Sequence, residues 1–281
     1  MTVGGLGGVL VLVATPIGNL GDLSPRATEA LANSDAICCE DTRRTGRLLQ
    51  HAGVARTPMI VANDHTEAHV VDQVLARLDA GERVAVVSDA GLPGLSDPGE
   101  QLVRAATATG HRVEVVPGPS AAATALVGSG LPAGRFTFEG FLPRKGSGRG
   151  QRLGEVAAER RTVVLYEAPH RLARTIDDLV AVCGPDRRVV VARELTKLHE
   201  EWFRGTLAQA AQWCASSEPR GELVVVIEGA PAPPPATDHD VDAAVRAALA
   251  AGLSARDAAD QVAAALAVPR RQAYQAAIAA K

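Results

Sequence analysis

Short hydrophobic runs alternate with amphipathic stretches along the first 117 residues. The runs are rich in β-branched residues and predict strands, whereas apolar residues at helical spacing predict helices between them. The predicted strands are 9–14, 35–39, 59–62, 83–88 and 112–116. Such alternation is typical of a mostly parallel sheet with helices on both faces. We therefore predict an αβ domain over residues 1–117.

A second αβ pattern follows the Pro-Gly-Pro segment at residues 117–119 and runs to residue 230. Its predicted strands are 136–139, 162–166, 188–192 and 223–227, and residues 196–204 are predicted to form an antiparallel hairpin. A proline-rich linker then precedes an alanine-rich tail, 240–281, which is predicted to hold three short helices. The chain is thus divided into 1–117, 118–230 and a linker with a helix-turn-helix-like tail, 231–281.

The charge of the chain is mildly negative overall but unevenly distributed. The net charge of −3 excludes a general polycation, yet residues 118–230 hold 15 Lys and Arg against 13 Asp and Glu. Several of these basic residues crowd into 144–161. Such a cluster is typical of a nucleic-acid or phosphate partner, but also of a solvated, arginine-rich surface. Charge alone leaves both interpretations open.

The four cysteines match no zinc-ligand spacing, so we predict no metal site and interpret the thiols as buried in a reducing cytosol. His170 and His199 are interpreted as structural histidines for the same reason. The apolar run at residues 9–14 is too short to span a membrane, and no basic leader precedes it. We expect a cytoplasmic protein with no membrane partner.

Residues 84–99 combine a buried strand with a loop that holds three glycines and two prolines. A helix is predicted to begin on a capping box, with Asp97 as N-cap, Pro98 at the first helical position and Glu100 at the third. Ligands of open α/β sheets bind beyond the carboxyl ends of the strands. This loop is therefore predicted to form one wall of a pocket.

Polar segments also follow three other predicted strands, at residues 15–22, 40–45 and 63–65. The first lacks the G-x-G-x-x-G and Walker spacings, which disfavours NAD and ATP. In the second, Glu40 and Asp41 stand beside two arginines; they either hold a polar substrate or simply cap a helix and pair with the arginines. Because these segments and the 84–99 loop meet at one sheet edge, we predict a shared cleft.

Seven segments together resemble the tetrapyrrole methylase superfamily of S-adenosylmethionine (SAM) methyltransferases, and more closely its ribosomal-RNA-modifying branch. They are TPIGNL, EDTRRT, SDAGLPGLSDPG, VPGPSA, GFLPRK, YEAPHR and RELTKLHEE. The resemblance covers nearly the whole chain, and several of these segments are specific to the RNA-modifying branch. The chain departs from the usual residues at Asp64, Thr66, Leu92, Gly94 and Leu95.

The resemblance implies two αβ domains of the tetrapyrrole methylase type with SAM in the cleft between them, a small helical C-terminal module and a homodimer. It further implies methylation of the ribose 2′-oxygen of a cytidine in the decoding region of 16S rRNA, within the small ribosomal subunit. The cofactor-binding residues that it implies are Pro16, Asp89, Ala90, Gly91, Ser96, Asp97, Ser120, Ala121, Glu167 and Ala168.

A ribose hydroxyl is a poor nucleophile while protonated, so a base is expected near it. The candidates are Asp41, Glu40, Glu194 and, if desolvation lowers its pKa, Lys197. Candidate phosphate contacts are Arg43, Arg144, Lys145, Arg171 and Arg193. Aromatic residues make up only 3% of the chain, which favours recognition of RNA shape and backbone over base stacking.

Three other functions stay open at the level of sequence. A corrin-precursor methyltransferase would carry a less basic substrate face, and a non-catalytic nucleic-acid-binding protein would bind duplexes through the tail. A nicotinamide-dependent oxidoreductase lacks the expected dinucleotide fingerprint. The tail itself is interpreted either as an RNA-docking module, which Arg270 and Arg271 favour, or as a helical appendage.

Overall fold

The computed structural model describes residues 7–62, 67–217, 220–232 and 235–280. The predicted polar segment at residues 63–65 lies outside these ranges. The chain forms two compact units, Met1–Ala230 and Pro231–Lys281. Within the first unit, residues up to 116 build one sheet and residues from 136 onward build another. A domain boundary near residue 117 stays a prediction.

The first sheet is fully parallel, with strand order β3-β2-β4-β1-β5. Its strands are β1 Val9–Val13, β2 Ala36–Cys39, β3 Met59–Val61, β4 Arg83–Val86 and β5 Arg112–Val116. Its helices are α1 Pro25–Ala32, α2 Thr42–His51, α3 Glu67–Asp79 and α4 Glu100–Ala108, with a 3-10 turn at Leu20–Asp22.

Both faces of this sheet are covered, because successive strand residues point to opposite sides. Leu10 and Leu12 pack into a core that includes residues of α3 and α4, whereas Val11 and Val13 pack into one with α1 and α2. The two cores confirm the expected doubly covered parallel sheet and leave the carboxyl edge of the strands as the place where polar loops gather.

The predicted start of α4 at Asp97 is wrong. The helix begins at Glu100, and its N-cap is Gly99, which has φ of 131° and no side-chain cap. The N–H of Gly94 donates to the carbonyl of Pro98 at 3.0 Å, so the chain closes a loop before the helix can begin. Only glycine adopts such a φ readily. Asp97 consequently belongs to the loop.

The second sheet is mixed, with strand order β6-β7-β10-β8-β9, and only β6 and β7 are parallel neighbours. Its strands are β6 Phe136–Phe141, β7 Thr162–Glu167, β8 Arg188–Arg193, β9 Glu201–Thr206 and β10 Leu223–Ile227. Its helices are α5 Ala121–Ser129, α6 Ser147–Ala158, α7 Pro169–Cys183 and α8 Leu207–Ser217.

The hairpin expected within residues 196–204 differs in its first strand. β9 pairs antiparallel with β8, and residues 194–200 form the connection between them. Glu194 and Thr196 have φ values of 51° and 66° there, in the left-handed region that a continuous strand does not use. The turn therefore interrupts the run that the sequence suggested as a strand.

The second unit consists of α9 Asp238–Ala250, α10 Ala255–Leu266 and α11 Arg270–Ala279. These helices match the three predicted for the tail, and Thr237 and Ser254 cap the first two. Small side chains form much of their common core, including Ala258, Ala273 and Ala277. Among the described helices of the whole chain, none combines the length and apolar character that crossing a bilayer requires.

Candidate active site

A cavity of about 360 Å³ lies in the first unit, where the loops at the edges of its two sheets meet. Its walls come from loops that follow β1, β4, β5, β7 and β8, and from the segment that leads into β10. Because β10 runs antiparallel to β7 and β8, its start lies at the edge where those strands end. The topology thus gathers these loops at one place, as expected for an open α/β sheet.

Two backbone hydrogen bonds hold Gly91, which lines the cavity, against Thr15. The N–H of Thr15 donates to the carbonyl of Gly91 at 2.8 Å, and the N–H of Gly91 donates back to Thr15 at 3.1 Å. Gly91 has φ of 88°, which explains the glycine at this position. Ile17, Leu195 and Leu223 add apolar surface. The result is a preformed pocket with one mainly apolar wall.

The carboxylate of Asp89 lines the cavity. Its Oδ1 atom is buried and has no hydrogen-bond partner among the described residues, whereas Oδ2 lies 3.2 Å from the guanidinium of Arg44. Burial raises the pKa of Asp89, and the nearby Arg44 opposes that shift. The backbone N–H of Asp89 donates to Oε1 of Glu40 at 2.9 Å. This arrangement suits a ligand that carries a positive charge.

Most residues implied for the cofactor lie together around this cavity. Those that line it are Asp89, Ala90, Gly91, Asp97, Ser120, Ala121, Glu167 and Ala168. Two others do not line it: Pro16 is buried beside Thr15, and Ser96 is exposed with φ of 64°. Sequence reasoning did not select Arg44, Tyr166 or Glu222, which also line the cavity. Arg44 and Tyr166 lie within two of the seven family segments, EDTRRT after β2 and YEAPHR at the end of β7, so their place in those segments was the available signal.

Asp41 does not line the cavity and serves as a helix cap. Its Oδ1 accepts from the backbone N–H of Arg43 at 2.7 Å, and its Oδ2 pairs with the Arg43 guanidinium at 3.0 Å. The hydrogen bonds to Arg43 lower the pKa of Asp41 to about 2. Such a carboxylate is a weak base. Of the two interpretations that the sequence left open for this segment, the capping one describes Asp41.

Glu194, Lys197 and Glu222 form a cluster beside the cavity. The Nζ atom of Lys197 lies 2.8 Å from Oε1 of Glu194 and 3.1 Å from Oε2 of Glu222. Burial lowers the pKa of Lys197, but the two carboxylates outweigh it and hold that pKa above its ordinary value. Burial likewise raises the pKa of Glu194, yet Lys197 and the N–H of Glu222 bring it below the usual range. Desolvation therefore does not make Lys197 a neutral base.

The candidate phosphate contacts fall into two groups. The first group already forms ion pairs with carboxylates of the protein. These pairs are Arg43 with Asp41 at 3.0 Å, Arg171 with Glu167 at 3.2 Å and Arg193 with Glu201 at 2.7 Å. Arg144 and Lys145 are exposed in the loop that follows β6. Within the described ranges, no group of three or more His, Cys, Asp or Glu side chains has the arrangement of a metal site.

Comparison with known proteins identifies the family. Residues 9–211 match the tetrapyrrole (corrin/porphyrin) methylases. Ribosomal RNA small subunit methyltransferase I of Synechocystis sp. is 47% identical over 95% of this chain and 96% of that protein. The enzyme of the same name from Xylella fastidiosa is 52% identical over 79% and 82%. The chain belongs to the ribosomal RNA small subunit methyltransferase I family.

Solved structures of more distant methyltransferases share the fold of this chain. The methyltransferase CobJ is 23% identical, with a TM-score of 0.62 over 80% of this chain and 95% of that one. Uroporphyrin-III C-methyltransferase from Thermus thermophilus, solved with S-adenyl homocysteine, is 19% identical, with a TM-score of 0.56 over 79% and 97%. At these identities the likeness shows the fold alone, and it confirms the expected α/β architecture of this methyltransferase I relative.

Proposed function

We propose that the protein transfers a methyl group from SAM to the ribose 2′-oxygen of a cytidine in the decoding region of 16S rRNA. The observation that carries this proposal is 46–52% identity to small-subunit methyltransferases I over most of the chain. We further propose that it works in the cytoplasm as a homodimer on the small ribosomal subunit, as the family resemblance implies.

The residues of the cavity fit SAM as the methyl donor. Its volume of about 360 Å³ lies in the range of small-molecule sites. Oδ1 of Asp89 has no partner among the described residues, so it offers a carboxylate oxygen to a cationic group. Ile17, Leu195 and Leu223 offer apolar surface to a planar base. When bound, SAM supplies a methyl group on a positively charged sulfur, which needs no activation by the protein.

The remaining work of the protein is positioning and proton removal. The loops around the cavity would hold the ribose oxygen in line with the methyl carbon, and such positioning contributes roughly 7–11 kcal/mol. Glu222 lines the cavity, and Lys197 holds its carboxylate at 3.1 Å. We assign Glu222 to accept the hydroxyl proton and Asp89 to bind the cationic end of the cofactor. Glu194 and Lys197 then position Glu222.

Labelled SAM and small subunits that lack ribose methylation would test the proposal. The label is mapped by nuclease digestion and mass spectrometry. A methyl group on the 2′-oxygen of one 16S cytidine is the expected result. If the protein bound SAM but transferred no methyl group to the subunit, the assignment of rRNA as the substrate would be wrong. Small tetrapyrrole acceptors would then be assayed.

A further inference from the structure

A second pocket, of about 330 Å³, lies next to the cavity at the carboxyl ends of β6 and β7. It is lined by Arg144, Arg149, His170, Arg171, Arg174 and Thr175. The cavity and this pocket are lined by neighbouring residues of the same two chain segments. Phe141 and Pro169 line the cavity, while Arg144 and His170, a few residues further along the same segments, line this pocket. A ligand that spans both sites would need to extend only a short distance.

The pocket carries a surplus of positive charge. Four arginines line it, and two carboxylates neutralise part of that charge, Glu167 through Arg171 and Asp178 through Arg149. Two positive charges remain without counting His170. Arg144 and His170 are exposed, and the side chain of Arg174 is 65% exposed, lying 4.0 Å from the already engaged Asp178. These three side chains are available to an anion.

The paired arginines fix the shape of the pocket. Arg149, predicted as part of a basic surface, is only 4% exposed. Its guanidinium donates to the carbonyl of Pro143, to Asp178 and to Thr175 at 2.8–3.0 Å. Arg171 donates to the carbonyl of Leu142 at 2.6 Å. The loop after β6 is therefore tied to α7, whose N-cap residue has no side-chain cap and whose dipole adds positive potential.

We propose that this pocket binds a backbone phosphate of the RNA strand beside the nucleotide whose ribose enters the cavity. The inference rests on the proposed function and assigns the phosphate to Arg144, Arg174 and His170. The planar, positively charged guanidinium of arginine matches phosphate oxygens in geometry and charge. A solvated arginine surface would not need its side chains to converge on one pocket. Arg149 and Arg171 act as positioning residues, because their donors are already engaged.

The test compares the double variant Arg144→Ala/Arg174→Ala with the control Arg135→Ala. Arg135 is exposed at the opposite end of β6, so its substitution removes one surface charge without touching either pocket. For each protein, KM and kcat are measured with unmethylated small subunits, and Kd is measured for SAM. Binding of a fluorescent decoding-region RNA oligonucleotide is followed over a salt series. Thermal unfolding verifies that each variant is folded.

We expect the double variant to weaken RNA binding and raise KM for subunits roughly 10- to 100-fold, with the Kd for SAM unchanged. The slope of log K against log salt should fall by about 0.7–0.9 for each phosphate that the variant no longer neutralises, and the control should match the native protein. If the double variant bound RNA with the affinity and the salt dependence of the native protein, the proposal that this pocket binds a phosphate would be wrong. If the native protein methylates no subunit, the proposed function fails, and the binding series still decides the pocket.

Discussion

Arg44 and Asp89 meet across two neighbouring strands, with the guanidinium 3.2 Å from Oδ2 of the carboxylate. Arg44 belongs to α2, which follows β2, whereas Asp89 follows β4, and these strands are adjacent in the first sheet. The Arg44 side chain is 60% exposed, so the pair contributes little to stability. Its consequence is electrostatic: it keeps a charged carboxylate in a cavity whose burial disfavours the charge.

Removing Arg44 should therefore change the pH dependence of cofactor use. Burial already raises the pKa of Asp89, and Arg44 is the cation that opposes this rise. In Arg44→Ala that pKa rises further, so less Asp89 is ionised at a given acidic pH. We expect the acid limb of kcat/KM for SAM to move to higher pH, with recovery at alkaline pH. Arg43→Ala removes the side-chain pair with Asp41 but keeps the backbone N–H that Asp41 caps, so the limb should stay in place in this variant. Acid limbs at the same pH in both variants would refute the assignment.

Glu222→Gln tests the proton acceptor. The amide keeps the shape of the side chain but cannot take up the hydroxyl proton, so kcat should fall about 10²- to 10⁴-fold. The Kd for SAM, measured by calorimetry, should stay near the native value, whereas Asp89→Asn should weaken it. A Glu222→Gln enzyme with native kcat would exclude Glu222 from proton transfer.

Lys197 is expected to act through its charge. Its pKa lies above the ordinary value because Glu194 and Glu222 outweigh burial, so the amine stays protonated at neutral pH. Arginine cannot deprotonate in proteins, and Lys197→Arg should therefore retain much of the activity, while Lys197→Met should lose about tenfold or more. The measurement is kcat for both variants at neutral and alkaline pH. Inactive Lys197→Arg with native SAM binding would point instead to lysine as the base.

The central strands of both sheets could be predicted from hydropathy because each is a short apolar run that is largely buried on both faces. β5 and β10 begin and end where the sequence indicated. The start of α4 could not be predicted from the sequence, because the φ of Gly99 depends on the closed loop before it. Arg44 and Glu222 escaped selection for a related reason: their place at the cavity follows from strand order and from an antiparallel β10, neither of which local periodicity specifies.

Arg149 should be important for stability although it lies in a basic stretch. It is buried and bridges the loop after β6 to Asp178 and Thr175 of α7. Arg149→Ala removes a buried donor from the carbonyl of Pro143, from Thr175 and from the partly exposed Asp178, and losing hydrogen bonds from a charged group in this way costs about 1.5–3 kcal/mol. Denaturant unfolding should show the loss. The neighbouring exposed Arg152→Ala is the control and should change the free energy of unfolding by less than about 1 kcal/mol.

Deletion of residues 237–281 separates the two interpretations of the tail. The second unit has a core of its own, and the buried clusters of the first unit lie within residues 10–227, so the truncated protein should fold and bind SAM normally. Arg270, one of the two arginines that favoured docking, pairs with Asp260, which leaves Arg271 as the more available cation. If the tail docks RNA, KM for small subunits rises after truncation and Arg271→Ala reproduces part of that rise. Unchanged methylation would make the tail a helical appendage.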